Sequence, residues 1–189
     1  MHNYSPILAP VVALVAWTLV VMAWMMIRRG REFRRMGVTL RTIPAGMRGS
    51  DMDGKADPGA QWKAHNYNHL LEQPTIFYAI ALTLALMNFG GGINYWLAWG
   101  YVVFRILHSI IQATVNIVLY RFACFALASL CLIGLTTHAG FRILHSLVQC
   151  TVNIVLYRFS LWFLASFCLL GLTVHAGARI LHDCGILRF

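Results

Sequence analysis

Apolar positions in this chain come in long unbroken runs, not in the short periodic patches of a water-soluble fold. Pro6–Ile27 is 22 residues without a charge, enough to cross a hydrocarbon core about 30 Å thick. It predicts a first helix, halted by Arg28-Arg29-Gly30-Arg31 and followed by Arg34, Arg35 and Arg41. Pro44–Gly59, rich in Gly, Asp and Pro, predicts a flexible loop. Pro74–Phe104 then runs 31 residues without a charge. That is too long for one ordinary span, and Gly90-Gly91-Gly92 divides it. The pattern predicts a second helix from about Asn66 to Phe89 and a third from about Asn94 to Leu119. Tyr120-Arg121-Phe122 reads as a tight turn, after which Phe122–Thr137 opens a fourth helix.

An internal repeat follows. Phe104–Gly140 and Phe141–Gly177 share 27 of 37 positions without a gap. Two strongly apolar copies in tandem read as duplicated membrane helices. Arg179-Ile180-Leu181-His182 restates the start of the unit a third time, which suggests unequal recombination in a four-span ancestor. The expected organisation is a four-helix membrane domain over 1–140, with a loop over about 28–65. A tandem duplicate over 141–177 and a C-terminal tail over 178–189 complete it. If Phe141–Tyr157 crosses the bilayer, the chain has six spans. Otherwise that segment lies at the interface, giving five to six spans as the all-α expectation.

Composition sharpens this picture. Of 189 residues, 59% are hydrophobic and 11% charged, against about a quarter charged in soluble domains. A water-soluble globule is excluded, and so is a disordered chain. The net charge of +9 would fit nucleic acid only if the basic residues lined one exposed face. Instead, nine of the fifteen lie between Arg28 and Lys63, and four more sit in or beside apolar runs. No nucleic-acid partner is expected. The positive-inside rule makes the Arg28–Lys63 loop cytoplasmic and puts the N-terminus outside. The first run lacks a basic segment before it and reads as a retained helix, not a cleaved signal. Cys124, Cys131, Cys150, Cys168 and Cys184 show no C-x-x-C spacing and read as small buried thiols. No metal site is expected, since neither that spacing nor H-E-x-x-H occurs.

Polar residues inside the apolar helices carry the candidate chemistry. Arg105, His108, Gln112 and Asn116 fall within an arc of about 80° at helical spacing. Such residues usually face a bundle interior. Asn68 and Glu72 lie one turn apart on the second helix, just before Pro74. With antiparallel second and third helices, Glu72 is the natural partner of the stripe, or of Arg105 deeper in. For Arg121 the spacing leaves two readings open: a snorkelling anchor at the boundary, or a fixed cation for an anionic ligand or thiolate.

Together these residues resemble the MAPEG family, the membrane-associated proteins in eicosanoid and glutathione metabolism. The likeness rests on Lys63-Ala64-His65, Asn68, Glu72-x-Pro74, Arg105-x-x-His108 and Arg121, thirteen residues after that histidine. The run Asn68–Tyr78 is similar to small bacterial members, and the likeness covers about Pro6 to Gly140. It implies a four-helix subunit in a homotrimer, with glutathione bound between subunits near the cytoplasmic side. Carried over by position, Asn68, Glu72, Arg105 and His108 line that pocket. Gln112 stands where the enzymes often carry tyrosine. Asn66 and Tyr67 stand where animal members place an arginine. Arg121 matches the arginine that activates the thiol, whose pKa of about 8.5 leaves it mostly protonated at neutral pH.

The resemblance implies a transferase or peroxidase acting on a hydrophobic small molecule from the lipid side, in a bacterial inner membrane. The family also includes non-catalytic lipid binders, so a scaffold on the same fold is the alternative. A second pseudo-site over Arg142, His145, Gln149 and Arg158 lacks a counterpart of Glu72 and reads as structural. A transporter is disfavoured, because Glu72 is the only embedded acid and the repeat is tandem.

Overall fold

The computed structural model describes residues 4–39, 41–52 and 54–183. Among them are four α-helices and no strand: α1 (Leu8–Arg35), α2 (Pro58–Leu86), α3 (Ile93–Ala113) and α4 (Val118–Asp183). The chain divides into two compact units, Met1–Gly140 and Phe141–Phe189.

Two of the boundaries that differ from those expected flank the loop between α1 and α2. α1 runs two turns beyond Ile27, because arginine and glutamate are good helix formers. Arg34 and Arg35 fill its last turn, where positive charge opposes the helix dipole. α2 begins at Pro58, not near Asn66. Proline suits a first helical position because the N–H it lacks has no helical partner there. The expected loop of 28–65 thus shrinks to 36–57. Glu32, which in the sequence only opposes the arginines, is buried. It accepts the Asp57 backbone N–H at 3.1 Å and pairs with Arg35 at 3.3 Å. This ties the start of α2 to the end of α1. Arg29 adds a bond to the Gly49 carbonyl at 3.4 Å.

The core of the first unit joins all three leading helices to the first part of α4. Leu14 and Val21 of α1, Phe77 and Leu84 of α2, Tyr101 and Val102 of α3, and Leu135 of α4 are fully buried. Phe77 stacks on Tyr101 with ring centroids 4.4 Å apart. Ala81, Ala98, Ala128 and Ala139 let the helices approach closely, as small residues do in membrane bundles. The glycine turn between α2 and α3 stands where the hydropathy break places it. A Cβ on Gly90 would collide with Ser5 Oγ and lie 2.6 Å from Ile7 Cγ2, so a side chain there would have to displace them.

A polar node joins α1, α2 and α3. Ser109 Oγ accepts Trp17 Nε1–H at 3.0 Å and Asn66 Nδ2–H at 2.8 Å. Ser109→Ala would leave both donors without that acceptor in a dry interior, at about 1–3 kcal/mol for each unpaired group. The variant is expected to melt earlier in detergent, followed by circular dichroism. An unchanged midpoint would show that the node does not stabilise the bundle.

The expectation of five to six spans is not supported. Among the described residues three helices are long and apolar enough to cross a membrane: α1, α2 and the Val118–Ala176 part of α4. The tight turn expected at Tyr120-Arg121-Phe122 is helical instead, as is its counterpart Tyr157-Arg158-Phe159 in the duplicate. The turn falls earlier, at residues 114–117. There Asn116 adopts a φ of 54° and its N–H bonds to the Ile111 carbonyl at 2.8 Å.

The physical reason lies in the repeat itself. Thr114–Phe122 and Thr151–Phe159 are the same nine residues, yet one copy begins with a turn and the other is helical throughout. Without glycine or proline, the segment does not impose a break. In the first copy side-chain contacts, described below, hold the turn. In the second unit the described residues are helical up to Asp183, and Phe141–Ala176 are exposed. Cys150 and Cys168 are therefore exposed, which corrects their reading as buried thiols. The helix also runs into the segment expected as a tail; residues 184–189, with Cys184, lie outside the described residues.

Candidate functional site

The inner face of α3 carries the polar stripe. Arg105, His108 and Gln112 are only 1%, 4% and 5% exposed, so the bundle, not the surroundings, must satisfy them. Arg105 donates from one terminal nitrogen to the His69 backbone carbonyl at 2.6 Å. Its guanidinium lies 5.9 Å from the Phe125 ring, a cation–π distance. Its other terminal nitrogen and Nε have no partner among the described residues.

His108 links the stripe to α4. Its Nδ1–H donates to the Arg121 backbone carbonyl at 2.8 Å, and its Nε2 lies 3.1 Å from Gln112 Oε1. A neutral imidazole that donates from Nδ1 accepts at Nε2, so it calls for the Gln112 amide turned to present its nitrogen. Arg121, in the first turns of α4, donates to Asn116 Oδ1. These bonds hold the turn between α3 and α4 and set the arginine at its edge. Asn116 therefore leaves the helical stripe and serves as the hinge of that turn.

His69 completes the cluster. Its ring meets His108 edge-on at 5.2 Å and lies nearly parallel to Phe125 at 6.0 Å. His69, His108, Val118, Arg121, Phe122 and Phe125 line a cavity of about 200 Å³. Val118 and Phe122 are exposed, so the cavity opens outward past apolar side chains. Its lining combines a cation and two imidazoles with apolar side chains.

The expected site residues separate. Arg105, His108, Gln112 and Arg121 come together. Glu72 does not reach Arg105; it pairs with His69 at 3.0 Å, and its side chain is 67% exposed. Asn68 is exposed on α2, while Asn66, two residues earlier, is the buried asparagine. His69 had no place in the sequence reading. The signal available for it was its spacing of three from Glu72, which stacks the two side chains on one helix face. His138 lies elsewhere and bonds to Asn94 at 2.8 Å. In the second unit Arg142, His145, Gln149 and Arg158 are exposed along a helix.

A family model described as the MAPEG family matches residues 7–141, well over half of the chain. The chain belongs to the MAPEG family. The match takes in every residue of the cluster and stops at the start of the second copy. Together with the three long apolar helices, membership in this membrane family makes the chain an integral membrane protein. No curated protein and no solved structure gave a significant match.

Proposed function

We propose that this MAPEG protein is a thiol transferase, with glutathione or a similar small thiol as co-substrate and a hydrophobic electrophile as acceptor. The observation that carries the reading is the cavity on whose wall Arg121 stands beside Val118, Phe122 and Phe125. A fixed cation there raises the thiolate fraction of a bound thiol. The apolar wall suits an acceptor arriving from lipid. Arg105, two of whose guanidinium nitrogens have no partner among the described residues, is suited to a carboxylate of the thiol ligand. His108 and Gln112 hold the wall, and Glu72 and Asn68, exposed on α2, belong to the outer rim of the binding surface. Reduction of a lipid hydroperoxide by the same thiolate is a related activity. The protein is a homotrimer in this proposal, embedded in a bacterial inner membrane. Its N-terminus lies outside and its basic Arg28–Lys63 segment is cytoplasmic.

Glutathione titrated into the purified protein is expected to develop ultraviolet thiolate absorbance and support turnover of an apolar electrophile. Arg121→Ala should lower that turnover about 10²–10³-fold, the usual cost of removing one group that stabilises a developing anion. Absence of both signals in the wild type would remove the enzyme reading. It would leave the non-catalytic lipid binder on the same fold.

A further inference from the structure

The polar residues assigned so far stabilise an anion but do not account for the proton that a thiol must lose. His108 is already committed, with one ring nitrogen on the Arg121 carbonyl and the other on Gln112. His69 is differently placed. It lines the cavity, and among the described residues its one hydrogen-bonded ring nitrogen is Nδ1, 3.0 Å from Glu72 Oε2. A carboxylate on Nδ1–H fixes the tautomer in which Nε2 carries the lone pair. The stacked Phe125 ring and the edge of His108 fix the orientation of the imidazole. An oriented imidazole with a carboxylate on its Nδ1, lining the same cavity as the Arg121 guanidinium, has the form of a base beside an anion-binding group.

We propose that His69, oriented by Glu72, takes the thiol proton in this cavity and returns it to the product of a conjugate addition. The inference rests on the thiol-transfer reading above and names its acceptor class, an apolar α,β-unsaturated carbonyl compound. The S–H bond breaks as Nε2 accepts the proton, and Arg121 holds the thiolate. Sulfur then forms a bond to the β-carbon, and the π electron pair moves onto the carbonyl to give an enolate. The imidazolium delivers its proton to the α-carbon. The product is the sum of thiol and acceptor, His69 returns to its starting state, and no oxidant or leaving group is involved.

The test compares wild type, His69→Ala and Glu72→Gln as full-length proteins, using glutathione and an apolar α,β-unsaturated ketone. Charged and titratable groups around His69 are Glu72 on its own helix, Arg105 and His108 from α3, and Arg121 from α4. The wild-type rate should rise with pH along a limb set by an imidazole in that setting, and Glu72→Gln should displace the limb. His69→Ala should lose the limb and lower turnover by about 10²-fold or more, as removal of a general base does. Added free imidazole should restore part of the rate, which a merely structural role would not allow. His69→Gln, which preserves bulk against Phe125, gives the same comparison if the alanine variant does not fold. An active wild type whose His69 variants retain the limb, or gain nothing from imidazole, overturns this inference alone. A wild type with neither thiolate nor turnover overturns the transfer reading with it.

Discussion

Arg105→Met is expected to leave the bundle as stable as before, or more stable, while lowering its affinity for a thiol ligand about 10–100-fold. Arg105 is 1% exposed, donates one short bond to the His69 carbonyl, and has two guanidinium nitrogens without a partner among the described residues. A charge buried on those terms is costly, and replacing such groups with apolar ones of similar size is often neutral or stabilising by about 1–4 kcal/mol. The His69 carbonyl remains inside α2, where the helix can satisfy it. Affinity falls because each charge-assisted bond to a ligand contributes about 1.5–3 kcal/mol. Thermal melting in detergent and calorimetric titration with glutathione read the two effects separately. A variant that melts earlier and binds as before would make Arg105 a packing residue. The opposite pair of results would identify a residue retained for its ligand at the expense of the fold.

Phe77→Ala is expected to produce the largest loss of stability. Phe77 is fully buried, stacks on Tyr101 and stands where α2 meets α3 at the centre of the first unit. Removing the ring leaves a cavity that its rigid neighbours cannot close, a change that costs about 3–5 kcal/mol in well-packed interiors. The apolar effect of water is weak between membrane helices, so packing contacts such as this carry more of the stability. Phe77→Leu should lose less, because it fills more of the space. Equal midpoints for wild type and Phe77→Ala would show that the stack does not hold the helices together.

How much of this was legible in the sequence differed from helix to helix. The inner face of α3 was legible, because four polar residues at helical spacing stand out against an apolar background. Its end was not. The turn over residues 114–117 has no glycine or proline to announce it, and Asn116 takes its left-handed φ only where Arg121 and His108 hold the surrounding chain. The start of α2 was hidden because Trp62–Glu72 is helical yet too polar to stand out as part of an apolar run. The rotation of α2 was hidden for a related reason. Its apolar residues surround the helix almost evenly, so nothing in the pattern separated exposed Asn68 from buried Asn66. That rotation moved Glu72 to the outside and put His69 against Arg105 and His108. The candidate site was therefore legible in its cationic half, on α3 and α4. The α2 contribution depended on packing.

The nine residues shared by Thr114–Phe122 and Thr151–Phe159 also bear on how a duplicated gene segment can persist. Only the first copy's neighbours convert that string into a corner with an arginine at its edge. Natural selection for the corner therefore acts on one copy and is blind to the other. A substitution such as Asn153→Leu should pass unnoticed, while Asn116→Leu, the same change in the same words, should not.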